Sequence, residues 1–167
     1  MASKVLIVMG SDSDLDQLLP AVDTLKELAV PVEVTVASAH RSPDRVIALA
    51  RSAREKGFGV VLAAAGGAAH LAGVFAANTT LPVVAVPVAV GTLGGMDSLL
   101  SSVQMPGGVP IASVGIGSGR NAGLFAAAIL SSSDTALAGR LDAMRAKQAA
   151  KVAEADAKVQ AKLASRS

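Results

Sequence analysis

Cysteine, tryptophan and tyrosine are all missing from the 167 residues, and only three phenylalanines are present. Without thiols there is no disulfide framework, no thiolate metal site and no cysteine nucleophile, which suits a reducing compartment. Without aromatic platforms the chain has little on which unpaired bases could stack. Charge of one sign is missing from the body as well. Residues 1–133 hold 8 Lys/Arg against 9 Asp/Glu, a net of −1, whereas residues 134–167 hold 7 against 4, a net of +3. The basic character belongs to the tail, no basic face is left for a duplex, and nucleic acid is not expected as a partner. Between Gly57 and Met96 there is no Asp, Glu, Lys or Arg at all. Gly66-Gly67, His70, Asn78-Thr79-Thr80, Pro82 and Pro87 cut that run into pieces too short to span a bilayer, so it reads as buried parallel strands with their packing helices rather than as membrane sequence. Met1-Ala-Ser-Lys4 leads directly into an apolar strand pattern without signal-peptide anatomy, and a cytoplasmic location is expected.

What remains is a length suited to one domain over residues 1–167, able to bury about two-thirds of its unfolded surface. Val5–Met9 is a branched aliphatic run stopped by Gly10, and Leu15, Leu18, Leu19, Val22, Leu25 and Leu28 then recur at helical steps. Val32–Val36 alternates as a strand, and Pro43 to about Lys56 follows as a helix with Pro43 in its first turn and Ser42 placed to cap it. Val60–Ala64, Val83–Val86 and Ile111–Val114 read as further strands, separated by helices over Ala68–Ala77 and Met96–Val103. Asn121–Leu130 and Asp134 to about Ala164 close the chain as helices. Such alternation implies right-handed crossovers and a three-layer α/β/α doubly wound parallel sheet. The last helix (134–167) carries only a thin stripe of Leu137, Leu141, Met144, Val152, Val159 and Leu163, so it is expected to pack on neighbouring subunits or to fray near Ser165.

Ligands in such sheets sit at the carboxyl ends of strands, and the polar residues of this aliphatic chain gather in the loops there. Gly10-Ser-Asp-Ser-Asp14 lies between strand and helix, where free N–H groups and hydroxyls favour a phosphate; ordinary N-capping is the alternative. It lacks the glycine and distal glutamate of a calcium loop. Arg41, in Ser38-Ala-His-Arg-Ser-Pro-Asp44, suits a bidentate clamp on an anion, or is a plain surface arginine. His40 beside it can exchange a proton near neutral pH, since free imidazole titrates at about 6.5, though a histidine at this position need not be catalytic. His70 stands among small residues that let a ligand approach the backbone, or is a buried neutral imidazole that holds its loop. No P-loop or nucleophile elbow occurs, and Gly115-Ile-Gly117-Ser-Gly119 has the wrong spacing for a dinucleotide fingerprint and reads as a tight turn.

In order along the chain, Gly10-Ser-Asp-Ser-Asp14, Ser38-Ala-His-Arg-Ser-Pro-Asp44, Ala65-Gly-Gly-Ala-Ala-His-Leu71, Leu81-Pro-Val-Val-Ala-Val-Pro-Val88, Asp97-Ser-Leu-Leu-Ser101 and Val103-Gln-Met-Pro-Gly-Gly-Val-Pro110 resemble the PurE family of purine biosynthesis, in register from about Val5 to Leu130. The segment Gly66-Gly-Ala-Ala-His-Leu71 resembles its class I branch. The resemblance implies a flavodoxin-like fold and a mutase that moves a carboxylate from the exocyclic N5 to C4 of an imidazole ribonucleotide, with no metal or organic cofactor. It also implies a homo-oligomer, an octamer in most members, with sites near subunit contacts. Position by position it makes His40 the general acid/base and His70 a second active-site histidine. Ser11 and Asp14 become substrate-binding residues, Ser13 and Ser38 hydroxyl donors, and Arg41 the clamp on the phosphate or nucleotide. Gly66, Gly67 and Ala68 become the wall of a carbon dioxide pocket. Ala72 departs from the family's usual proline. Direct carboxylation of aminoimidazole ribonucleotide by dissolved carbon dioxide, as in the class II branch, and a catalytically silent nucleotide-binding module are the alternatives.

Overall fold

In the computed structural model, which describes residues 4–166, the aliphatic runs become five strands: β1 (Lys4–Met9), β2 (Val32–Val36), β3 (Phe58–Ala65), β4 (Val83–Pro87) and β5 (Ala112–Ser113). Expectations that fall on Met1–Ser3 and Ser167 lie outside the described residues. All neighbours pair in parallel, in the order β2-β1-β3-β4-β5. This is a doubly wound sheet, as the alternation predicts, in the flavodoxin-like order that the resemblance implies, and it reverses direction between β1 and β3.

Strand residues alternate between two cores, as a period of two requires. Val5, Ile7 and Met9 of β1, Val60 and Leu62 of β3 and Val84 and Val86 of β4 pack towards α1 (Leu15–Glu27), the penultimate helix Gly119–Ser131 and the start of the final helix Thr135–Ala164. Leu6, Val8, Val61, Ala63, Val83 and Ala85 pack on the other side, towards α2 (Pro43–Ser52) and α3 (Leu71–Ala76). Burying side chains such as Ile7 or Leu62 contributes about 1.5–3 kcal/mol each. Between these come α4 (Met96–Val103), and the last two helices are α5 and α6 in chain order. Gly119 and Gly123 bring α5 against the backbone of α1: a Cβ on Gly119 would lie 2.3 Å from the Gln17 carbonyl oxygen, and one on Gly123 2.9 Å from that of Ala21. The Gly115–Gly119 segment is the expected tight turn, with Gly117 at φ +65° and the Ser118 N–H bonded to the Gly115 carbonyl.

Three boundaries differ from the sequence reading. α2 stops at Ser52, and the chain turns through Gly57 (φ +82°) instead of staying helical to Lys56. β5 shrinks to two residues at the sheet edge. α3 begins at Leu71 rather than Ala68, after a turn in which Gly67 takes φ +65°.

Two helices turn apolar side chains outward. α4 buries Ser98 and Ser102 while Met96, Leu100 and Val103 stay exposed. α6 buries Leu137, Leu141 and Met144, but every described residue beyond Met144 is exposed, Val152 at 71%. That leaves about 30 Å of helix exposed along its length. No helix among the described residues is long and apolar enough to cross a membrane.

Candidate active site

The register aligns the ends of the strands: Met9 pairs with Val36 of β2 and Ala64 of β3, and Ala65 pairs with Pro87 of β4. The loops that follow β1, β2 and β3 therefore converge at the reversal point, and a cavity of about 400 Å³ opens between them. That is a volume suited to a small-molecule ligand.

The first loop is a single 3₁₀ turn over Asp12–Asp14, tied by a reciprocal capping box. The Ser13 N–H donates to Ser11 Oγ, and the Ser11 N–H donates to Asp14 Oδ2 at 3.2 Å. These two backbone donors are thus taken, and the loop turns Ser11 and Ser13 to the cavity. The hydroxyls of Ser13 and Ser11 bond each other at 2.9 Å. Asp14 is buried, and burial pushes its carboxyl above the ordinary 3.8, opposed by the Ser11 N–H, the Ser13 hydroxyl and the nearby Arg41 charge.

The second loop is held by its own side chains. Ser42 does not cap α2 through its hydroxyl as expected; Oγ accepts from the Ser38 N–H at 3.0 Å and donates to the Ser38 carbonyl, closing the loop on itself. Ser38 Oγ accepts from both the backbone N–H and Nε of Arg41. Arg41 Nη2 donates to the Gly10 carbonyl at 2.8 Å, joining the second loop to the first. Among the described residues the other guanidinium donors have no protein partner, and Arg41 is exposed on the cavity. An arginine so fixed presents a positive fork whose aim is set before a ligand arrives.

The third loop brings His70 to His40. His40 Nε2 lies 2.8 Å from His70 Nδ1, with the rings edge-to-face at 86°. His70 occupies the N-cap position of α3 without making a side-chain cap bond, and it is exposed, which overturns the buried-imidazole alternative. A contact between two imidazole nitrogens needs one donor and one acceptor. The pair can therefore hold one extra proton and keep the bond, whereas two would set N–H against N–H.

His40, His70, Ser11, Ser13, Asp14, Ser38, Arg41 and Gly66 all line the cavity; Gly67 and Ala68 do not. Gly67 turns its N–H away to Ser98 Oγ at 2.9 Å, and Ala68 is exposed. Sequence reasoning missed Val90, a lining residue packed on Gly66, where a Cβ would lie 2.4 Å from Val90 Cγ2. It also missed Gln17, whose side-chain amide bonds both the N–H and the carbonyl of Ala89 and so fixes Val90's neighbour. Two adjacent glycines opposite a glycine-rich turn were the available sign of so close an approach. Ala72 is buried in the first turn of α3, where a backbone N–H needs no intrahelical partner, and it does not line the cavity. Among the described residues no group of three or more His, Asp or Glu side chains is gathered to hold a metal.

A profile of the AIR carboxylase family matches residues 4–151. The N5-carboxyaminoimidazole ribonucleotide mutase of Bacillus subtilis (strain 168) is 56% identical over 147 residues, covering 87% of this chain and 91% of its own. The protein of the same name from Mycobacterium tuberculosis (strain H37Rv) is 49% identical over 157 residues, covering 94% and 90%. A crystal structure of Treponema denticola PurE superposes with a TM-score of 0.84 at 26% identity, over 93% of this chain and 98% of that one.

Proposed function

We propose that this chain, which belongs to the AIR carboxylase (PurE) family, is an isomerase of purine biosynthesis that converts N5-carboxyaminoimidazole ribonucleotide into 4-carboxy-5-aminoimidazole ribonucleotide. The observation that carries the reading is the His40–His70 contact in a cavity that also holds the Arg41 fork and the Ser11 and Ser13 hydroxyls. The names of the relatives at about half identity point to the same substrate.

The reaction needs one proton moved twice. In the first half His40 delivers a proton to the carbamate nitrogen while the N–C bond breaks, leaving aminoimidazole ribonucleotide and carbon dioxide in the cavity. In the second half C4 attacks carbon dioxide, a C–C bond forms, and the C4 proton returns to the imidazole. The proton balance is zero, which suits a pair that keeps its hydrogen bond with one extra proton. His70 receives or returns that proton at Nδ1. Arg41 and the hydroxyls of Ser11, Ser13 and Ser38 hold the ribonucleotide with its phosphate, and Asp14 fixes the turn that carries two of them. Gly66, Gly67 and Ala68 belong to the wall that delays escape of carbon dioxide, Gly66 directly and the other two by setting the course of the loop.

The working unit is a single domain assembled as a cytoplasmic homo-oligomer, with an octamer as the family expectation. The outward Met96, Leu100 and Val103 of α4, Phe125 of α5 and the unsupported second half of α6 are the surfaces that a neighbouring copy covers. Purified protein supplied with N5-carboxyaminoimidazole ribonucleotide should accumulate the C4-carboxylated isomer at a rate independent of added bicarbonate. No isomer would overturn the reading, and a rate proportional to bicarbonate would assign direct carboxylation instead.

A further inference from the structure

Resting on that reading, we infer that Ser98 is a positioning residue: its hydroxyl on the inner face of α4 holds Gly67, and through it the Gly66–Ala69 wall of the cavity, in the conformation that retains carbon dioxide. Ser98 is 0% exposed, on a helix whose apolar side chains face outward. An amphipathic helix ordinarily buries its leucines. Here the inner face carries serines, and Ser98 has a task specific to its place. Its Oγ accepts from the Gly67 N–H at 2.9 Å and donates to the Val88 carbonyl at 2.9 Å. One hydroxyl thus ties together the segments that follow β3 and β4.

Nothing in the third loop can do this from within. Between Ala65 and His70 it has no polar side chain, and Gly67 sits at φ +65°, a conformation its own sequence permits but does not impose. Val90 presses Gly66 from the cavity side, and Gln17 anchors Ala89 next to it. From behind, Ser98 holds the Gly67 N–H at 2.9 Å, and the Ser101 hydroxyl, which bonds mainly within its own helix, reaches the Gly67 carbonyl at the longer 3.4 Å. Ser102, one turn further along α4, is equally buried, yet its Oγ donates only to the Ser98 carbonyl within the helix. It shares Ser98's burial and chemistry without touching the loop, and is the natural control.

The test compares Ser98→Ala with Ser102→Ala in the full-length protein. The ratio of aminoimidazole ribonucleotide released to C4-carboxylated product formed is read during turnover of the N5-carboxylated substrate. This ratio does not depend on how much of the protein is folded. Ser98→Ala leaves a Gly67 donor and a Val88 acceptor unpaired, and the release ratio is expected to rise about tenfold, with less than about a twofold change in KM. Ser102→Ala is expected to match wild type. Amide hydrogen exchange over Gly67–His70 should accelerate in Ser98→Ala alone. Unchanged exchange in Ser98→Ala, or an equal change of either readout in both variants, would overturn the inference. An inactive wild type would overturn the proposed function and with it the retention of carbon dioxide, while the exchange comparison would still report whether Ser98 holds the loop.

Discussion

The two histidine-bearing loops meet at 2.8 Å yet are held in opposite ways. The Ser38–Asp44 loop carries its own fastenings: Ser42 closes it on Ser38, Ser38 receives Arg41, and Arg41 reaches across to Gly10. The Gly66–His70 loop is nearly all glycine and alanine and is fixed from outside, by Val90 against Gly66 and Ser98 on Gly67. Under the proposed function the difference matches a division of labour. A proton donor and an anion clamp need side chains with fixed aim, whereas a wall around carbon dioxide needs little bulk and a backbone that does not move. Damage to the Ser38–Asp44 loop should act on chemistry and binding, and damage to the Gly66–His70 loop on enclosure and stability.

The largest effect is expected from His40→Asn. Loss of a general acid/base should cut kcat by about 10²–10⁴-fold, while calorimetry shows nucleotide affinity within severalfold of wild type. Full turnover in that variant would remove the proton role from the second loop. Arg41→Lys comes next. It keeps the charge but loses the fork, and kcat/KM should fall by about 10–100-fold, chiefly through KM, a value read from steady-state kinetics.

Gly66→Ala attacks the other loop from its cavity side. Its Cβ would meet Val90 Cγ2 at 2.4 Å, so overpacking should lower unfolding free energy by about 1–3 kcal/mol. Val90→Ala introduced alongside it should restore most of the loss, and a denaturant-based double-mutant cycle measures the coupling. Additive effects would mean that Val90 does not brace the loop.

The smallest effect concerns Asp14, beneath the first loop. Its folded carboxyl is raised above 3.8, so the native state keeps a proton that the unfolded chain has lost, and stability falls as pH rises through that window. Asp14→Asn keeps an oxygen for the Ser11 N–H and removes the ionisation. Its Tm relative to wild type should therefore increase as pH is raised from below 3.8 and then level off. A difference that did not vary with pH would mean that burial does not govern this group.

The same contrast explains what could be read from sequence. The parallel doubly wound sheet and the choice of three loops follow from alternation and from the rule that ligands sit at carboxyl strand ends, because aliphatic periodicity is local information, whereas the order of the strands is not. His40, Arg41 and the serines were legible as candidates because they are the polar side chains at carboxyl strand ends and part of their support lies within four residues, while their roles rested on the resemblance. The third loop was not legible in that way. Ala68 and Ala69 have good helix propensity yet stay outside α3, and the partner that holds the Gly67 turn lies 31 residues away in a helix whose apolar pattern does not reveal that its serines face inward. His70 was ambiguous for the same reason: whether it was buried or open to His40 depended on contacts remote in sequence.

The central claim is that one loop moves a proton while the other keeps carbon dioxide in place. It is tested most directly by turning over substrate labelled with ¹³C at the carbamate carbon in excess unlabelled bicarbonate and measuring label in the C4 carboxylate. The account predicts that the product keeps the label; label diluted to the level of the dissolved pool would contradict it.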